Sequence, residues 1–101
     1  MDMGLNGKVA WVTGATGAIG REIALGFARE GAQVAASART PDKLAALVDE
    51  INAGGGDAIS VPVDVTDAAA VKAAAENIVG TMGQIDVLST TVAVPAFGPF
   101  L

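Results

Sequence analysis

The chain has no cysteine, no histidine and no tyrosine, and only 4% of its residues are aromatic. Lacking cysteine, it forms no disulfide, and lacking histidine as well, it has none of the Cys/His ligand sets that hold zinc or copper. Its only lysines are Lys8, Lys43 and Lys72. The usual general acids, bases and nucleophiles are therefore scarce, which narrows the chemistry this chain performs unaided. No apolar run reaches the 18 or so residues of a membrane span, and Met1 to Gly7 lacks the basic and apolar regions of a signal peptide. Six basic residues against eleven acidic ones give a net charge of −5, the wrong sign for holding a nucleic-acid backbone. These absences lead us to expect a cytoplasmic protein that partners neither membrane nor nucleic acid.

What remains is a 101-residue chain, 51% hydrophobic, of a size for one small domain. Its organising stretch is KVAWVTGATGAIGR, from Lys8 to Arg21. Val9-Ala10-Trp11-Val12 is short, apolar and partly β-branched, the pattern of a buried strand. Thr13-Gly14 breaks it, and glycines recur at Gly14, Gly17 and Gly20 before a helical period begins with Ile19, Ile23 and Phe27. Strand, glycine-rich turn and helix form the context in which backbone N–H groups can approach a pyrophosphate closely. A tight connection with no ligand would leave the same local pattern.

Farther along, a helix is expected over 18–30 with Ile19, Ile23 and Phe27 facing a sheet and Gly31 as a left-handed stop. A second strand follows over 32–38. Thr40 as hydroxyl N-cap and Pro41 at the first turn then open a helix over 41–53, with Leu44, Leu47, Val48 and Ile51 inward. Gly54-Gly55-Gly56 precedes a strand, so a helix-to-strand turn is preferred to a second phosphate loop. A third strand covers 58–63 and Asp64-Val65-Thr66-Asp67 is its exit turn. Thr66 is expected to cap an alanine-rich helix over 67–81, with Val71, Ala75, Ile78 and Met82 inward, and a fourth strand begins at Ile85. The order βαβαβαβ plus a stub predicts a truncated Rossmann-like, doubly wound parallel sheet, with ligands beyond the strands' carboxyl ends.

Taken together, Gly7-Lys8-Val9, Thr13 to Gly20, Ser37-Ala38-Arg39-Thr40, Asp64-Val65-Thr66-Asp67, Gly83 to Leu88 and Gly98-Pro99-Phe100 resemble the N-terminal part of a short-chain dehydrogenase/reductase. Single-domain members usually carry glycine where Ala18 stands, and the Gly14, Gly17, Gly20 spacing also fits the extended branch. The Asp64 turn and the Gly83 to Leu88 run favour the single-domain branch. The resemblance implies cofactor contacts at Gly14, Thr16, Gly17, Ala18, Ile19, Gly20, Arg39, Thr40, Asp64, Val65, Thr91 and Val92. Asp64 and the next amide would hold the adenine, unless Asp64 merely caps its turn. In dinucleotide folds an acid about 20 residues past the glycines holds the ribose 2′-hydroxyl, whereas an arginine accommodates a 2′-phosphate. Ala38 occupies the acidic position and Arg39 follows it, so NADP(H) is expected over NAD(H).

Two departures matter. The family continues Val-Asn-Asn-Ala-Gly where this chain reads Ser89-Thr90-Thr91-Val92-Ala93. Ser-Thr-Thr is what Val-Asn-Asn codons give one base out of frame, which the gene sequence tests. The family's serine, tyrosine and lysine lie downstream of Gly98-Pro99-Phe100, so the resemblance implies no catalytic residue here and a chain inactive by itself. A non-catalytic nucleotide-binding or self-assembling module is the alternative. In either case the fourth strand, cut off from further strands, is expected to form an edge through which copies associate.

Overall fold

The computed structural model describes residues 5–90. Four strands and three helices alternate: β1 (Val9–Thr13), α1 (Ala18–Arg29), β2 (Gln33–Ser37), α2 (Pro41–Ala53), β3 (Asp57–Ser60), α3 (Ala68–Met82) and β4 (Val87–Thr90). All pairings are parallel, in the order β3-β2-β1-β4. Such pairings require crossovers, and the helices supply them on both faces. Val12, Val34 and Ala36 pack with α1 and α2 residues on one side of the sheet, while Val9, Trp11 and Ala35 pack with Ala74 and Ile78 of α3 on the other. Being covered on both faces, β1 is buried along its whole length. The strand order reverses between β1 and β4, which places the crevice of a doubly wound sheet at the end of β1.

Several elements differ in detail from the sequence expectation. The fully buried positions of α1 are Gly20 and Ala24; of the expected stripe, Ile23 and Phe27 are half-buried and pack against the core, whereas Ile19 is 71% exposed. Small residues let the helix approach the sheet closely, while Ile19 in the first turn is left on the exposed side. Thr40 does stand at the N-cap of α2, but its hydroxyl makes no capping hydrogen bond. Thr66 does not cap α3. Asp67 does, its carboxylate accepting from the Ala70 N–H at 3.1 Å, because Thr66 is bonded to Asp64 instead. In α3 the buried positions are Ala74 and Ile78, with Val71, Ala75 and Met82 half-buried around them. Gly31 and Gly83 both adopt positive φ, as expected of helix stops. The strand expected over 58–63 ends at Ser60, although the Val61 and Val63 N–H groups still donate to β2-side carbonyls of Ala36 and Ala38. The glycine triplet is a turn, and Asn52 clamps it to β3 by accepting from the Ala58 N–H (2.8 Å) and donating to the Ala58 carbonyl (3.2 Å).

Two polar contacts hold the sheet around β1. Asp86 accepts from the buried Val9 N–H at 2.8 Å and from the Gln84 amide at 2.8 Å, tying β4 to the start of β1. This role is structural. Inside the sheet, the Trp11 indole N–H donates to the Ser37 hydroxyl at 2.8 Å, and both side chains are buried. Ser37→Ala removes the acceptor and strands a buried donor, a cost of about 1–3 kcal/mol. Thermal unfolding is expected to fall by about 5–15 °C for a domain of this size. A midpoint unchanged within about 1 °C would show the indole finding another partner.

Candidate functional site

The loop between β1 and α1 begins at Gly14, whose φ of +66° lies in the left-handed region open to glycine. The Ala15 N–H donates to the Ser37 carbonyl at 3.0 Å, which fixes the loop against the end of β2. The Gly17 N–H then donates back to the Gly14 carbonyl at 3.1 Å, closing the turn. Gly17 is the N-cap of α1, in extended backbone, and contributes no side-chain acceptor. No acidic residue lies in the first turn of α1. The positive end of a 12-residue helix therefore carries no protein carboxylate and is suited to an external anion. Ala18 and Ile19 open this helix on the exposed side, and Gly20 is buried beneath them against the sheet.

Ends of the neighbouring strands surround this loop. Ala38 is buried just past β2, and Arg39 and Thr40 follow it exposed to solvent. Asp64 and Val65 are half-buried at the turn leading to α3. The Asp64 carboxylate accepts at one oxygen, Oδ1, from the Thr66 hydroxyl (2.7 Å) and the Thr66 N–H (2.9 Å). These bonds, the hydroxyl foremost, with the Arg39 charge added, hold the Asp64 carboxyl below its ordinary 3.8 against a smaller opposing effect of desolvation. Because the folded pKa is depressed, the turn's contribution is present above the unfolded value and is lost as pH falls through the lowered one. The carboxylate is thus an acceptor at neutral pH, and its Oδ2 is free of the turn. Asp64 both shapes its own turn and can face a ligand.

Thr16 of the loop also lines an open cleft of about 250 Å³, together with Ala15, Arg21, Lys43, Leu47 and Glu50. Arg21 and Glu50 span it with a two-pronged ion pair, Nη2 lying 2.6 and 2.7 Å from the two carboxylate oxygens. Neither this α1–α2 clasp nor Lys43 stood out in the sequence. Arg21 and Glu50 are 29 positions apart on different helices, a separation at which no helical spacing rule signals contact. Gly14, Thr16, Gly17, Ala18, Ile19, Gly20, Arg39, Thr40, Asp64 and Val65 gather at the carboxyl ends of β1 and β2 and the turn after Val63. Thr91 and Val92 lie outside the described residues. Among the described residues no cluster of carboxylates could hold a metal ion, and no helix is long and apolar enough to cross a membrane.

A parallel sheet with a glycine turn feeding a helix at its reversal point defines a Rossmann-like α/β unit, the architecture of nucleotide-binding domains. The family pattern of short chain dehydrogenases matches residues 8–101, and the chain belongs to that family of oxidoreductases. A short chain dehydrogenase of Pseudocercospora fijiensis is 39% identical over 97 residues, which is 96% of this chain and 31% of that protein. L-Sorbose reductase from Gluconobacter frateurii, solved with NADPH and L-sorbose, superposes with a TM-score of 0.87 at 37% identity, over 93% of this chain and 36% of its own. A 7α-hydroxysteroid dehydrogenase solved with NADH superposes with a TM-score of 0.81 at 39% identity, over 83% and 33% respectively. The chain thus spans roughly a third of these relatives. Dinucleotides of both phosphorylation states occur among them.

Proposed function

We propose that this chain is the NADP(H)-binding N-terminal portion of an oxidoreductase that moves hydride between nicotinamide and a carbonyl or alcohol. One observation carries the cofactor assignment: past β2 the chain presents buried Ala38 and exposed Arg39 beside the glycine loop, with no carboxylate where a ribose 2′-hydroxyl would be held. A guanidinium pairs with a phosphate through two parallel N–H bonds, whereas a carboxylate there would repel it. The loop N–H groups and the start of α1 would hold the diphosphate, and Asp64 with the Val65 amide would hold the adenine. Hydride transfer itself belongs to the bound nicotinamide. With no tyrosine in its sequence, the chain has none to serve as the family's proton donor, and turnover requires residues beyond these. Calorimetric titration with NADPH and NADH tests the assignment. NADPH should bind the more tightly, with no oxidation on adding carbonyl substrates; equal affinities would remove Arg39 from its role.

The exposed edge supports a second reading, a self-assembling module without catalysis. Among the described residues, β4 pairs on one side only, and Leu88 within it is 59% exposed. Leu88 lies in register with Trp11, hence on the α3 face, where Val79 is also exposed. An unpaired edge with an apolar flank is a template for a further strand. Light scattering at micromolar concentration is expected to show association, lost on Leu88→Lys; a monodisperse monomer would contradict it.

A further inference from the structure

We propose that Arg21 and Glu50 are positioning residues for the nucleotide's diphosphate: their ion pair holds the first turn of α1 where the loop N–H groups converge, and neither side chain touches the ligand. The inference rests on the reading of the Gly14 to Gly20 loop as a diphosphate holder. It goes further by naming what keeps that loop aligned with its helix.

The two halves of the loop are anchored differently. Its first half is tied to β2 by the Ala15 N–H bond to the Ser37 carbonyl at 3.0 Å. Its second half passes into α1, where the first side chains offer little hold. Gly17 stands at the N-cap without a capping side chain, Ala18 and Ile19 are exposed, and Gly20 meets the sheet without a Cβ. A contact with no interlocking side chains resists sliding and rotation of the turn only weakly. Arg21 is the first residue of α1 able to form a polar tether. Its N–H closes the first turn on the Gly17 carbonyl at 2.8 Å, and its Nη2 lies 2.6 and 2.7 Å from the two oxygens of Glu50. Glu50 is a firm anchor, because Leu47 and Ile51 on either side of it along α2 are buried in the core. Ala15 and Thr16 line the same cleft as the pair, so the tether acts beside the loop itself. Glu22, 3.6 Å from Nη1, is on Arg21's own helix and ties α1 to nothing else. The pairing also offsets the Glu50 charge, which would otherwise repel a diphosphate at the loop.

ADP and adenosine differ by the diphosphate alone. Titrations of the full chain with each, followed by amide nuclear magnetic resonance, give the ratio of the two affinities. Glu50→Gln is expected to lower the preference for ADP about two- to fivefold, the range of a half-exposed ion pair, although it removes a negative charge. Arg21→Gln should lower it further, since Glu50 is then left uncompensated in the cleft. The double variant should return to the level of Glu50→Gln. Glu22→Gln makes the same change in charge and should not lower the preference. A preference unchanged or raised in Glu50→Gln would overturn the proposal, as would a double variant no better than Arg21→Gln. A loss in Glu22→Gln equal to that in Glu50→Gln would overturn it too, because the tether would not be its cause. If the unaltered chain binds ADP no better than adenosine, the diphosphate reading itself fails; if it prefers ADP and Glu50→Gln leaves that preference intact, only the clasp is refuted.

Discussion

Gly14→Val is expected to remove nucleotide binding while the sheet still folds. At φ +66° a β-branched side chain is strained, at a cost of about 1–3 kcal/mol. The chain relieves that strain by leaving the turn, and the turn is what joins Gly14 to Gly17 at 3.1 Å and sets Ala15 on the Ser37 carbonyl at 3.0 Å. Once those contacts shift, the first N–H groups of α1 no longer converge on one point. Each charge-assisted bond to a phosphate oxygen is worth about 1.5–3 kcal/mol, so losing two weakens binding by more than about a hundredfold. The thermal midpoint should fall by about 5–15 °C with the helical circular dichroism retained below it. Undiminished affinity for NADPH in this variant would mean that the nucleotide is held elsewhere.

Arg39→Asp is expected to reverse the cofactor preference. Arg39 is exposed, so the substitution leaves the core alone, and β2 and α2 keep their own contacts on either side. Removing one guanidinium from a 2′-phosphate costs NADPH about ten- to a hundredfold, and the new carboxylate adds repulsion. NADH gains an acceptor for its 2′-hydroxyl. The Arg39 charge also helps keep the Asp64 carboxyl below its ordinary value, and that support is lost in the variant. Affinity for 5′-AMP, read alongside, reports any effect through the adenine. Retained selectivity for NADPH would contradict the role given to Arg39.

Much of this was legible from residue pattern because the pattern and the packing ask for the same thing. The inward residues Leu44, Leu47, Val48 and Ile51 repeat at helical spacing, and α2 is found at Pro41–Ala53 with all four buried. In α1 the pattern was right in part: Ile23 and Phe27 pack against the core, but Ile19 is exposed. Hydrophobicity points to Ile19, Ile23 and Phe27, yet closeness to the sheet is decided by the absence of bulk at Gly20 and Ala24. The cap of α3 turned on competition between neighbours. Thr66 and Asp67 are both good caps, and Thr66 was withdrawn by its two bonds to Asp64. The cleft residues were hidden for another reason: Arg21, Lys43 and Glu50 meet only after two helices pack side by side. Thr91 and Val92, expected as cofactor contacts, lie outside the described residues and stay expectations.

The central claim is that the loop from Gly14 to Gly20 exists to hold a diphosphate. The most direct measurement is amide nuclear magnetic resonance of the isotopically labelled chain during addition of NADPH. The largest shifts are predicted at Gly14 to Gly20, with Arg39, Thr40 and Val65 following at the same concentration. Saturating shifts confined to other residues, with the loop amides unmoved, would contradict the account.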